Sequence, residues 1–159
     1  MPNPNHPKKG DCIAVDPIRD MKDIKSIKRL LATKPRDFAI FVTGVNTNLR
    51  GSDLLKITVG QVRHLQVGEH FSLREKKTGK VRNITINKAV HEAITSLLKH
   101  LGEGVKDSDW LFQSRKGKGR LSIGTLNSML KEWCSAINMK GNFGSHTLRK
   151  TFGYQHRVQ

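Results

Sequence analysis

The chain has 159 residues and carries 29 Lys and Arg against 13 Asp and Glu, a formal net charge of +16. That length fits one domain able to bury roughly 70% of its unfolded surface, so folding requires no disulfide or metal staple. The charge leaves the fold open but selects a polyanionic partner. Nucleic acid comes before an anionic membrane, because no Lys-rich helix with an aromatic face is present.

Hydrophobic residues make up only 36% of the chain, yet they cluster in periodic segments. That pattern speaks for a core under a charged surface rather than for disorder. The two cysteines, Cys12 and Cys134, are expected to stay reduced in a cytoplasmic setting. No apolar run approaches the length of a membrane span. The opening MPNPNHPKKG has no apolar signal core and reads as a flexible arm over residues 1–15, ahead of one domain over 16–159.

In chain order, a first helix is expected from about Asp20, with Met21, Ile24, Ile27, Leu30 and Leu31 at helical spacing. A second begins near Pro35, a residue suited to a first turn, and turns Phe38, Phe41, Val42 and Val45 inward until Asn46-Thr47-Asn48 ends it. A short helix over Ser52–Lys56 follows, with Ser52 as its cap. Three strands are expected next. The first is a weak one at Val62–Val67. Glu69–Lys76 and Lys80–Ile86 are joined by a hairpin at Thr78-Gly79, where Gly79 supplies a positive φ.

A helix capped by Asn87 carries Val90, Ile94, Leu97, Leu98 and Leu101, and Gly102 stops it. After Trp110-Leu111-Phe112 and a basic turn at Arg115–Arg120, Ser122 caps a helix with Ile123, Leu126, Met129, Leu130, Trp133 and Ile137 on one face. The last helix starts near Ser145. The resulting class is α+β, mostly α, with a small antiparallel sheet of about three strands.

Three motifs carry chemistry. Arg50 sits at a helix junction beside Gly51, where backbone N–H groups and a guanidinium suit a phosphate, and Asp53 is placed to hold Arg50 or a neighbour. The hairpin Arg74-Glu75-Lys76-Lys77-Thr78-Gly79-Lys80-Val81-Arg82 crowds five basic residues around one acid. It suits contact with a nucleic-acid backbone, although an edge hairpin guarded by lysines is the plainer alternative. In Ser145-His146-Thr147-Leu148-Arg149, His146 and Arg149 share the face of a first helical turn, where the dipole favours an anion.

Taken together and in this order, Arg50, Asp53, Lys77, His146 and Arg149 resemble the tyrosine recombinase (phage integrase) family. The family pattern is Arg, an acid three residues on, Lys at a hairpin tip in Lys-Thr-Gly context, and His-x-x-Arg. Pro17-Ile18-Arg19-Asp20 also looks like the family, and the resemblance covers about Asp16 to Arg157. It implies a helical catalytic domain that cleaves double-stranded DNA through a 3′-phosphotyrosine, with no cofactor and no metal. No small-molecule substrate or membrane is implied, and self-association is expected on DNA in the full-length protein.

On this resemblance Arg50 and Arg149 hold the phosphate and Lys77 is the acid for the leaving oxygen. His146 is a base or phosphate ligand and Asp53 supports the site; the charge of the hairpin itself is what places Arg74, Lys76, Lys80 and Arg82 on DNA. The seven His residues are scattered, and none pairs with Cys at zinc spacing.

The sequence departs from the family in two places. Asn48 stands where the family usually has Gly, and Asn tolerates the left-handed turn that such a Gly implies. The family's third His or Trp and its nucleophilic Tyr fall beyond Gln159, so the domain is expected to be C-terminally incomplete. Tyr154, five residues after Arg149, is expected to pack. The competing readings are a non-catalytic DNA-binding remnant or regulator, and an RNA-binding protein. The latter is disfavoured because only Phe71 is available on the strands for stacking.

Overall fold

The computed structural model describes residues 14–117 and 119–158. Cys12 and most of the expected arm lie outside that range. The order of elements is α1 (Met21–Leu30), α2 (Pro35–Asn46), α3 (Gly51–Leu54), α4 (Val59–Val62), β1 (His70–Arg74), β2 (Val81–Thr85), α5 (Lys88–Leu101), α6 (Ile123–Ala136) and α7 (His146–Val158).

Side-chain caps open the longer helices where the sequence signals them. Asp20 accepts from Lys22 N, Asn87 from Val90 N and Ser122 from Thr125 N, each replacing a partner that the first helical turn lacks. The short α3 differs from expectation: Arg50, not Ser52, is its N-cap, and no side chain caps it.

The sheet has two strands rather than three, in antiparallel register with Phe71 opposite Ile84. The expected strand at Val62–Val67 does not form. Thr58 and Gln61 make a reciprocal capping box that starts α4 at Val59, and the chain then turns with Val67 exposed. Phe71 and Ile84 are buried on the core side. The sheet therefore offers no aromatic platform for a stacked base, which removes the ground for an RNA-recognition fold.

The helix α2 is the hub, touching α1, α3, α5 and α7. Its Ala39, Ile40, Phe41 and Val42 are all buried, while Phe38 and Val45 are partly so. In α1 only Ile24 and Ile27, followed by Leu31, reach the core, and Met21 and Leu30 stay exposed. Ile123 of α6 is likewise exposed, because it sits in the helix's first turn.

The stretch after Ala14 seals α7 from outside. Ile18 N–H donates to Thr151 Oγ1 at 2.9 Å, Lys150 Nζ to the Val15 carbonyl at 2.9 Å and Asn142 Nδ2 to the Ala14 carbonyl at 2.9 Å. The described end of the expected arm is thus pinned to the domain.

One contact fixes the relation of α2 to α7. A methyl group on Gly44 would lie 2.6 Å from Leu148 Cδ1 and 3.0 Å from Leu148 Cβ. The second of these atoms cannot swing aside, so the two helices meet at the separation that a missing Cβ allows. We expect Gly44→Val to destabilise the domain in urea unfolding by about 2–3 kcal/mol. Combined with Leu148→Ala, the loss is expected to fall short of the sum of the single losses by about 1 kcal/mol. Strict additivity would mean that Gly44 does not set the helix spacing.

Candidate active site and nucleic-acid interface

The packing of α2 on α7 delivers the C-terminal end of α2 to the first turn of α7. Beyond α2, Thr47 is extended, Leu49 is buried as an anchor, and Arg50 turns the chain into α3. Gly51 packs directly against the approach to α7, where an added Cβ would lie 3.3 Å from Ser145 Cβ and 2.7 Å from Ile123 Cδ1. Arg50 is therefore held beside the start of α7. That start is itself fixed by α6, since Ser145 N–H donates to Asn127 Oδ1 at 3.0 Å. Gly144 N–H donates to Thr147 Oγ1 at 3.0 Å.

Asn48 does not take the left-handed conformation that its place in the family pattern suggested. Among described residues other than Gly, only Asn138 has a positive φ. Asn48 contributes its side chain instead: Oδ1 accepts from Arg149 Nε at 3.0 Å, across 101 residues of sequence. Its carbonyl accepts from Arg82 Nη1.

Asp53 is fully buried, and it holds the hairpin rather than Arg50. Its Oδ1 accepts from the backbone N–H of Lys76 at 3.0 Å and lies 3.1 Å from Lys56 Nζ. Lys56 Nζ also donates to the Arg74 carbonyl at 2.9 Å. Asp53 Oδ2 is buried without a hydrogen-bond partner among the described residues, a cost accepted where the other oxygen fixes a neighbouring segment.

The partner of Arg50 is Glu75, whose Oε2 accepts from Arg50 Nη1 while Oε1 lies 3.9 Å from Arg82 Nε. Residue-by-residue reading overlooked Glu75. The available signal was its isolation, since a single acid among five basic residues of a hairpin is the natural countercharge to whatever basic group the hairpin folds against.

Lys77 is exposed in the turn between Lys76 and Thr78, which Gly79 closes with φ +70. Gly79 N–H donates to the Glu75 carbonyl at 2.8 Å. Lys76 and Lys80 are exposed beside it. Arg74 is also exposed, and its guanidinium donates to the Gly79 carbonyl. Arg82 is half-buried on Asn48 and Glu75. Arg120 of the basic turn lies over the Trp110 ring, 5.3 Å from its centroid.

His146 and Arg149 share this basic surface. The His146 imidazole keeps much of its solvent exposure. Partial burial nevertheless pushes its pKa below the ordinary value, followed by the charges of Arg149, Lys150, Arg50 and Lys77. Arg149 is also pushed down, first by burial and then by Arg50 and Arg82, with Glu75 and Asp53 opposing. Residues from the α2–α3 junction, the hairpin and α7 meet at one locus through the contacts Arg50–Glu75, Arg82–Glu75, Arg82–Asn48 and Arg149–Asn48. Tyr154 is half-buried with the Arg19 guanidinium over its ring, 5.9 Å from the centroid. Cys134, deep in α6, has a thiol pushed up to about 12, first by burial and then by Asp23, and is inert at neutral pH.

The arrangement gathers the guanidiniums of Arg50, Arg82 and Arg149 around Glu75 and Asn48, with the His146 imidazole and the exposed Lys77 on the same surface. Among the described residues no group of His, Cys, Asp and Glu lies together as a metal site. None of the described helices is long and apolar enough to cross a membrane.

Known proteins share both the sequence and the fold. The chain is 35% identical over 141 residues to the probable integrase/recombinase YoeC of Bacillus subtilis (strain 168), covering 88% of this chain and 74% of that protein. The fold superposes on the crystal structure of XerA recombinase with a TM-score of 0.75 at 19% identity, over 91% of this chain and 52% of that one. It also superposes on a lambda integrase tetramer bound to a Holliday junction, with a TM-score of 0.68 at 16% identity, over 96% of this chain and 46% of that one. The chain thus spans about half the length of these solved structures. The model of the phage integrase family matches residues 20–156, and the chain belongs to that family.

Proposed function

We propose that this chain is the DNA-binding, phosphate-handling part of the catalytic domain of a site-specific tyrosine recombinase, acting on double-stranded DNA in the cytoplasm. The observation that carries the reading is the meeting of Arg50 and Arg149 at one locus, through Asn48 and Glu75, with His146 and Lys77 alongside. One neighbour in fold is a tetramer on a Holliday junction, and self-association on DNA is part of the proposal.

The chemistry follows from the charges. A tyrosine oxygen attacks the phosphorus of a backbone phosphodiester, the new O–P bond forms, and the bond from phosphorus to the 5′ oxygen breaks. A 3′-phosphotyrosine and a 5′-hydroxyl result. Negative charge grows on the non-bridging oxygens, where two guanidiniums already in place stabilise it without reorganisation. Lys77 supplies the proton that the departing 5′ oxygen needs. His146, whose pKa is pushed below the ordinary value, takes the proton of the attacking hydroxyl or donates a hydrogen bond to the phosphate. Asp53 and Lys56 hold the base of the Lys77 hairpin. Arg74, Lys76 and Lys80 extend the basic surface along the DNA backbone.

The reading as a non-catalytic DNA-binding module draws on Tyr154, the sole tyrosine of this sequence, which packs under Arg19 instead of joining the cluster. A nicked suicide duplex separates the two readings. We expect the chain alone to form no denaturation-resistant adduct, and addition of a tyrosine-bearing C-terminal segment from a related integrase to produce one. No adduct in either case would favour the non-catalytic module. An adduct from the chain alone that is lost in Tyr154→Phe would place the nucleophile at Tyr154.

The pKa of His146 gives a second check. Partial burial first, and then its cationic neighbours, disfavour the charged imidazole, so in the free protein its NMR titration midpoint is expected below the ordinary value of about 6.5. A bound duplex places a phosphate among those cations and is expected to raise the midpoint. A midpoint that is unshifted in the free protein and unmoved by DNA would separate His146 from the cluster.

A further inference from the structure

We propose that Glu75 and Arg82 are positioning residues, forming a relay that sets Arg50 and Arg149 relative to each other and ties both to the seating of the Lys77 hairpin. The proposal rests on the reading of Arg50 and Arg149 as the phosphate-holding pair.

The relay is continuous. Arg50 Nη1 donates to Glu75 Oε2, and Glu75 Oε1 faces Arg82 Nε at 3.9 Å. Arg82 Nη1 donates to the Asn48 carbonyl, and Asn48 Oδ1 accepts from Arg149 Nε at 3.0 Å. It runs from the α2–α3 junction to Glu75, just past β1, across to Arg82 on β2, back to Asn48 at the junction and on to α7. Glu75 is only 8% exposed, so its charge is poorly screened by water and acts strongly on the guanidiniums around it.

Three guanidiniums this close repel one another, and a buried carboxylate among them is what allows them to stay. Arg149 registers both effects: burial first, and then Arg50 and Arg82, disfavour its charge, while Glu75 and Asp53 support it. Arg82, which the sequence places on DNA, points its guanidinium inward at Asn48 and Glu75 instead.

An alternative role for Glu75 is that of a competitor occupying the phosphate's place on Arg50. The geometry speaks against it. Among the described residues Arg50 spends only Nη1 on Glu75, and Arg149 spends only Nε on Asn48. Each arginine therefore keeps donors for a phosphate while one nitrogen is anchored, the arrangement expected of an oriented fork. Because Glu75 lies two residues from Lys77, lifting the hairpin would remove the proton donor and loosen the grip on the phosphate in one event.

Side-chain NMR of 15N-labelled arginines in the full chain tests the relay without DNA. In Glu75→Gln, which keeps the shape and removes the charge, we expect the Arg149 Nε–H to exchange with water at least about tenfold faster, as for loss of one charge-assisted hydrogen bond. The backbone amide spectrum should remain that of the folded protein. Asn48→Ala should free Arg149 and leave the Arg50 signal in place, which a general loosening would not do. If Glu75→Gln fails to fold, Arg82→Lys keeps the charge but loses the planar fork, and the same loss at Arg149 is expected.

A parallel measurement of binding to a mixed-sequence duplex at low salt separates the relay from the competitor. The relay predicts weaker binding by Glu75→Gln, although a negative charge has been removed. An unchanged Arg149 signal in Glu75→Gln or in Arg82→Lys, or tighter DNA binding by Glu75→Gln, would overturn the proposal. Loss of the Arg149 signal in a protein whose native form binds no duplex would leave the relay standing and sink the functional reading.

Discussion

The close approach of α2 to α7 at Gly44 and Leu148 is the constraint on which the rest of the site depends. A helix spacing set by a missing Cβ is stiff, because atoms on both sides are packed against a full core. The end of α2 therefore arrives beside the first turn of α7 with little latitude, and Asn48 can reach Arg149 with a side-chain carbonyl. Val15, Ile18 and Arg19 hold α7 from its other side, so the helix carrying His146 and Arg149 is fixed from both faces. The hairpin is then added to a rigid frame, docked at Asp53 through a backbone N–H and at Arg50 through Glu75.

The second consequence is electrostatic. A chain of net charge +16 that gathers Arg50, Arg82, Arg149, Lys77 and His146 at one place holds repulsion that folding must overcome. Two buried carboxylates, Asp53 and Glu75, stand among those cations, and partial burial followed by the neighbouring cations tilts His146 toward its neutral form. On the proposed reading, a phosphodiester entering the cluster would supply the remaining negative charge, and affinity for the polyanion and stability of the loaded site would come from the same imbalance.

Local signals were legible in the sequence wherever one residue type has one job. Asn87 and Ser122 cap the helices they were expected to cap, α1 begins beside Asp20, Pro35 opens α2, and Gly79 takes the positive φ of the hairpin. The expected first strand at Val62–Val67 does not form: Val62, Leu65 and Val67 look strand-like in isolation, whereas the Thr58–Gln61 capping box commits the segment to a turn of helix. Of the candidate residues, the sequence named the groups but not their partners. The pairing of Arg50 with Glu75 rather than Asp53, and of Asn48 with Arg149, depends on how three separate segments dock. Neither spacing nor residue type records that. Arg82 shows the same limit, since alternation along β2 says which face it occupies and not that Asn48 and Glu75 await it there.

The central claim is that Arg50 and Arg149 grip one phosphate together, and a double-mutant cycle on DNA affinity tests it most directly. Arg50→Ala, Arg149→Ala and the double variant would be titrated with one mixed-sequence duplex at a fixed low salt concentration, after each is shown to be folded. Two groups on one phosphate are coupled, so the combined loss should differ from the sum of the single losses by at least about 0.5 kcal/mol. Independent losses that add within error would place the two arginines on separate phosphates and contradict the account.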